Sequence, residues 1–155
     1  MLWVKKSFAE LTAGELYAIL ALRQKVFVVE QTCAFLDADG LDEKCQHLFA
    51  QDASGEILAY LRILPLSAGS DALPPAVTIG RVVTAPQVRG TGLGRELMQR
   101  GLQLVQAQSG PVPVHISAQS RLERFYTTLG FVRASADYDE DGIPHLAMRR
   151  AADSA

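Results

Sequence analysis

A single α/β domain, a mixed sheet with helices on its faces, is the fold that the sequence predicts. Three observations predict it. Runs that alternate every second residue are interleaved with runs of 3.6-residue periodicity along the chain. Leu93, Leu97, Gly101 and Leu104 repeat on one face between two strand-like runs, as a right-handed crossover between parallel strands requires. At 155 residues, 48% hydrophobic and 21% charged, the chain suits one compact core. Residues 1–150 are expected to form the domain and residues 151–155 a flexible C-terminal tail.

The elements follow in order. Residues 2–8 read as a first strand, and Thr12-Ala13-Gly14-Glu15 as a capping box opening a helix. Leu16, Ile19, Leu20, Arg23 and Phe27 carry that helix toward Val26 or Phe27. Residues 33–43 hold the turn formers Asp37, Asp39-Gly40 and Asp42 and read as a loop. Residues 46–51 and 56–66 form a hairpin through Asp52-Ala53-Ser54-Gly55. A strand over 76–84 is stopped by Pro86, and the helix beginning near Leu93 leads to a strand over 112–117. Leu122, Phe125, Tyr126 and Leu129 mark a last helix ended by Gly130, and residues 131–138 and 145–149 close the sheet. The loops at 66–75 and 109–113 are short and rich in Gly, Pro and Ser.

Charge is unevenly spread. Residues 30–56 carry seven acidic side chains against Lys44 alone, while residues 86–133 carry six arginines against Glu96 and Glu123. The first stretch suits a cationic ligand and the second a phosphorylated one. A net charge of −2 does not itself point to nucleic acid or a membrane, and neither is expected as a partner; a monomer or a homodimer is. The lysines of the first residues follow the apolar ones and no long apolar run succeeds them, so neither a signal peptide nor a membrane span is expected, and the cytoplasm is. Cys33 and Cys45 are expected as free thiols, and His47 near Cys45 lacks the further ligands that a zinc site needs.

The chemistry is concentrated in Gln87-Val88-Arg89-Gly90-Thr91-Gly92-Leu93-Gly94. Gly90 and Gly92 allow positive φ and close approach of an anion to consecutive amides, and the helix start adds its unpaired N–H groups. A P-loop would need Lys then Ser or Thr after the last glycine, where Arg95-Glu96 stand. A dinucleotide-binding turn would need G-x-x-G spacing and an acidic residue about 20 positions on, and neither is present.

The pattern Gln87-x-x-Gly90-x-Gly92 resembles the coenzyme A signature of the GNAT acetyltransferases, and Phe125-Tyr126-Thr127-Thr128-Leu129-Gly130-Phe131 resembles their F-Y-x-x-L-G-F segment. The stretch from Arg23 to Cys33, with Asp37-Ala38-Asp39-Gly40-Leu41-Asp42 and His47, is similar to the early signature of the ElaA-like branch, as is Tyr138-Asp139-Glu140-Asp141-Gly142-Ile143-Pro144-His145-Leu146-Ala147-Met148 to its ending. The resemblance implies a GNAT-like sheet whose central parallel strands splay apart to admit the pantetheine of acetyl-CoA. It implies main-chain contacts at Val82, Val83 and Thr84, and pyrophosphate held by Arg89, Gly90, Thr91, Gly92, Leu93, Gly94 and Arg95. Gln119 stands where relatives carry an asparagine that bonds the pantetheine or the helix start. Arg121 or Arg124 is a candidate for the 3′-phosphate. Tyr126 is implied as the general acid, which suits the chemistry: a thiolate of pKa about 8.5 leaves, and a phenol of pKa about 10 stays protonated to meet it. No metal is implied.

The acceptor would be a small-molecule amine or a peptide or protein amine. An alkylamine of pKa about 10.4 must shed its proton before attack, at about 4.6 kcal/mol near pH 7. Glu30, His47 and His145 are the candidate bases, and Glu30, Asp37, His47, Asp141 and His145 the candidate acceptor contacts. Direct transfer is expected, since neither cysteine has an activating partner in the sequence. The alternative is a non-catalytic acyl-CoA-binding or sensing module of the same fold, which would need neither Tyr126 nor the acidic loop.

Overall fold

The structure, a computed structural model, describes residues 1–69 and 74–153. The middle of the loop expected at 66–75 and the last two residues of the expected tail lie outside the described residues. In chain order the elements are β1 (Leu2–Ser7), α1 (Ala13–Arg23), β2 (Gln46–Gln51), β3 (Ile57–Ile63), β4 (Val77–Thr84), α2 (Leu93–Ser109), β5 (Val114–Gln119), α3 (Glu123–Thr127), β6 (Val132–Arg133), β7 (Tyr138–Glu140) and β8 (Ile143–Arg150). They form one sheet in the order β1-β2-β3-β4-β5-β8-β6, with β7 paired to β8. Every pairing is antiparallel except β4 with β5.

The core forms where helices meet the middle of this sheet. Every residue of β3 is buried, and both α1 and α2 pack on it. That explains a strand which reads as a nearly continuous apolar run rather than an alternating one. Thr12 starts α1 as expected: its Oγ1 accepts the Glu15 N–H at 3.1 Å and the Glu15 carboxylate accepts the Thr12 N–H at 2.9 Å. On α2, a Cβ at Gly101 would stand 2.8 Å from Leu61 Cδ2, so α2 lies against β3 closely enough that a larger residue there would displace the Leu61 side chain.

Two elements depart most from their expected extents, the other boundaries shifting by at most three residues. The first helix does not end near Val26; after Arg23 the chain runs on as a π-helical segment, Gln24–Glu30, with bonds from the Gln31 N–H to Val26 O and from the Cys33 N–H to Val28 O. The wider turn buries Val26 and leaves Val29 exposed, re-aiming Glu30 at the end of the segment. The strand expected over 131–138 is broken into β6 and β7. Between them the Ser135 hydroxyl accepts the Ala147 N–H, and Arg133 turns outward to Glu123 and Asp137.

The feature that positions the site is the parting of β4 from β5. Their register contains only Val77↔Val114 and Thr78↔His115. Beyond it β4 stays with β3, while β5 pairs with β8 along its whole length, from Val114↔Arg150 to Gln119↔His145. On β3, Leu61 alone separates Tyr60 from Arg62; on β4, Arg81 and Val82 separate their partners Val83 and Gly80. This bulge bends β4 away from its parallel neighbour.

Candidate active site

The gap between the strands is flanked at its open end by the glycine turn. Gly90 has φ +80° and Gly92, the N-cap of α2, has φ +90°. A Cβ at either would meet nothing within 4 Å, so the turn faces open space. The Glu96 N–H returns to Gly92 O at 3.1 Å, which leaves the N–H groups of Leu93, Gly94 and Arg95 without intrahelical acceptors at the positive end of a 17-residue helix. The first turn of α2 lies over Thr84: a Cβ at Gly94 would stand 3.7 Å from Thr84 Cγ2. Arg89 and Arg95 flank the turn, Arg89 forked on Glu30 at 2.7 and 3.1 Å and Arg95 donating to Thr128 Oγ1 at 2.5 Å. Glycine turn, Arg89, Arg95, Val82, Val83 and Thr84 are thus gathered at one end of the gap, with free donors for a phosphorylated ligand.

Tyr126 lies on the other flank, on α3 beside β5. Its ring meets Phe125 and Phe131 edge-on, at centroid distances of 5.1 and 5.9 Å. Burial in this apolar setting pushes its phenol up to about 12, so it is protonated throughout the neutral range.

The end of β5 brings together residues far apart in sequence. Gln119 donates to Gln31 Oε1 at 3.0 Å and accepts from Arg121 Nε at 3.0 Å, which ties Arg121 to the strand end. Cys33 Sγ donates to the Asp141 carbonyl at 3.0 Å, joining the early loop to the β7–β8 turn. His145, opposite Gln119, is 8% exposed and its Nδ1 stands 2.7 Å from Ile143 O. That contact requires a hydrogen on Nδ1, and Nε2 stands 3.2 Å from Glu140 Oε2. Tyr138 stacks on the His145 ring and bonds Ser117 through its hydroxyl. Asp141 and His145 therefore meet at the end of β5, while Glu30 is held by Arg89 beside the glycine turn.

Asp37 and His47, expected at the acceptor, are instead enclosed beneath α1. Arg23, fully buried, donates from Nε to Asp37 Oδ2 at 2.7 Å and from Nη1 to Asp42 Oδ1 at 2.7 Å. Arg62 donates to Asp39 and Asp42, and Arg81 stands 2.8 Å from Asp37 Oδ1. Three arginines thus neutralise three aspartates. The Arg62 guanidinium beside Asp39 holds its carboxyl far below the usual carboxylate range. His47 is 1% exposed, with Nε2 2.9 Å from Asp42 O and Nδ1 2.7 Å from the Tyr60 hydroxyl. Its Nε2 must carry the hydrogen and its Nδ1 lone pair is taken by Tyr60, so no basic nitrogen faces solvent. Burial lowers its pKa. The acidic loop, which suggested a cationic ligand, is largely satisfied by arginines from α1, β3 and β4. Two signals in the sequence pointed that way: Arg23 on the apolar face of α1, and Arg62 inside an otherwise apolar strand.

Both cysteines are buried free thiols. Cys45 donates to Leu41 O, and burial pushes its thiol up to about 11; burial raises Cys33 as well. Each is held in its un-nucleophilic form. Among the described residues no helix is long and apolar enough to cross a membrane, and no cluster of His, Cys, Asp and Glu could hold a metal ion.

An open mixed sheet whose parallel strands part beside a glycine turn and a helix start defines the acyl-CoA-dependent N-acyltransferase class of fold. The family described as "Acetyltransferase (GNAT) domain" matches residues 23–152, and the chain belongs to it, in the ElaA-like branch. It is 39% identical over 150 residues to Protein ElaA of Escherichia coli, covering 96% of this chain and 95% of that one. The crystal structure of E. coli ElaA superposes with a TM-score of 0.88 over 97% of this chain and 99% of that one. An acyl-CoA N-acyltransferase from Pseudomonas aeruginosa is 44% identical, with a TM-score of 0.88 over 97% of this chain and all of that one. An aminoglycoside 6′-N-acetyltransferase, solved with coenzyme A, shares the fold at 11% identity and a TM-score of 0.71, over 96% of each chain.

Proposed function

We propose that this protein transfers an acetyl group from acetyl-CoA directly to a primary amine. The observation that carries the reading is the strand gap ending on the positive-φ glycine turn and the unpaired first-turn amides of α2. An extended thioester arm terminated by a pyrophosphate has the chemistry to fill such a cleft. In this reading the amides of residues 90–95, with Arg89 and Arg95, hold the pyrophosphate. The main chain of Val82, Val83 and Thr84 pairs with the pantetheine and polarises the thioester carbonyl. The amine nitrogen attacks that carbonyl, the C–S bond breaks as the amide forms, and Tyr126 gives its phenolic proton to the departing sulfur. Its raised pKa keeps the proton on the phenol until the sulfur departs, at the cost of acid strength toward that thiolate.

The amine's proton leaves by the opposite side. His145 Nε2 is the proposed acceptor, with Glu140 passing the proton to solvent. Glu30 and Asp141 attract the cationic amine, and pyrophosphate recruiting Arg89 would free the Glu30 carboxylate to do so. Gln119 orients the reactants from the end of β5. Asp37 and His47 act as structural supports of the loop. The amine acceptor, with the protein working as a monomer or homodimer in the cytoplasm, completes the reading. Incubation with acetyl-CoA and a panel of polyamines, amino acids and peptides, with mass detection of a 42-dalton adduct, tests it. Coenzyme release without any acetylated amine would refute it.

A further inference from the structure

Arg81 stands in the bulge of β4 at φ +52°, a left-handed conformation that an L side chain disfavours roughly tenfold. Its side chain reaches back across the loop that follows the π-helical segment. Nε lies 2.8 Å from Asp37 Oδ1, Nη2 donates to Asp37 O at 3.1 Å and stands 3.3 Å from Asp39 Oδ2, and the guanidinium lies 6.0 Å from the Phe35 ring. Asp37 and Asp39 are themselves anchored, by Arg23 and Arg62, so the tether ends on a fixed support.

We propose that Arg81 is a positioning residue whose tether to Asp37 and Asp39 holds the β4 bulge and thereby keeps the main chain of residues 82–84 turned into the strand gap. Ordinary strand geometry at position 81 would remove the extra residue of the bulge. Residues 82–84 would then turn over by one position, and β4 could continue its pairing with β5 past Thr78. The same tether joins the enclosed Asp37–Asp39 loop to the backbone of β4 that lines the gap. This role rests on the acetyl-CoA reading only in its kinetic arm.

Comparing Arg81→Ala with Arg81→Gly tests it, because both remove the same ion pairs while only glycine enters the left-handed region freely. Arg81→Ala is expected to raise KM for acetyl-CoA about tenfold, to lower kcat as well because the same main chain polarises the thioester carbonyl, and to speed hydrogen exchange at the amides of residues 82–84. Arg81→Gly is expected to bring KM back to within about twofold of the parent and to slow that exchange toward the parent rate. A purely structural contribution from the ion pairs would move both variants alike, so equal effects overturn the proposal, as does unchanged exchange in Arg81→Ala. If the parent protein does not use acetyl-CoA, that result refutes the acetyl-CoA reading alone, and the exchange measurement still decides the role of Arg81.

Discussion

Replacing Gly92 with valine separates the cradle from the fold. The new Cβ would meet nothing within 4 Å, so the penalty comes chiefly from φ +90°. A left-handed L residue costs about 1–2 kcal/mol, which in a domain of this size lowers Tm by roughly 2–8 °C. Acetyl-CoA at 100 times its Kd adds about 2.7 kcal/mol to the parent, an upward shift of roughly 5–11 °C. Valine at position 92 projects into the space an anion must enter to reach the first-turn amides, so that upward shift should vanish while a cooperative melt remains. Gly110 provides the control: it caps the other end of the same helix with φ +71° and an equally open Cβ direction, about 25 Å away. Gly110→Val should lower Tm and keep the full acetyl-CoA shift. Thermal melts with and without ligand decide the matter. A Gly92→Val protein that gains as much from acetyl-CoA as the parent would refute the cradle, and so would loss of the shift in both variants.

Three further outcomes are expected. Tyr126→Phe should cut kcat by about 100-fold or more and leave the Kd for acetyl-CoA within about twofold; an unchanged kcat would make the tyrosine purely a packing residue. Cys33→Ser should retain turnover, because the thiol is buried and held protonated; trapping of an acetyl-cysteine in the parent would instead indicate a covalent route. His47 and His115 both have lowered pKa values, from burial first, with Arg149 adding to the effect at His115. The unfolded chain therefore binds more protons than the native one below about pH 6.5, so stability is complete above that pH and declines as pH falls toward the folded values. Urea melts from pH 8 to pH 5 should show that decline, and His47→Gln should flatten it; an identical pH dependence in the variant would contradict the assignment.

Much of the fold was legible because its signals are local. The capping box at Thr12, the amphipathic face of α2 and the stop at Gly130 each involve residues within a few turns of chain, and each stands where the pattern put it. The misreadings lie where one extra residue per turn or one broken hydrogen-bond ladder changes the outcome. The π-helical continuation to Glu30 leaves no distinct periodicity, and the interruption between β6 and β7 depends on the Ser135 hydroxyl finding Ala147 on another strand. The charge pattern misled for a related reason: Asp37, Asp39 and Asp42 look unpaired in a window of sequence, yet their partners are Arg23, Arg62 and Arg81.

The sequence by itself determined the alternation of strands and helices, the crossover that makes β4 and β5 parallel, and a glycine turn able to present amides to an anion. These follow from backbone preference and hydrophobic period, which act between neighbours in the chain. Only the tertiary structure decided that Arg89 meets Glu30, that Cys33 meets Asp141, that His47 is sealed against Tyr60 and that His145 faces Glu140 at the mouth of the gap. Hydrogen bonds and ion pairs in a partly desolvated interior act over about 3 Å, so their partners are set by which segments the topology brings together.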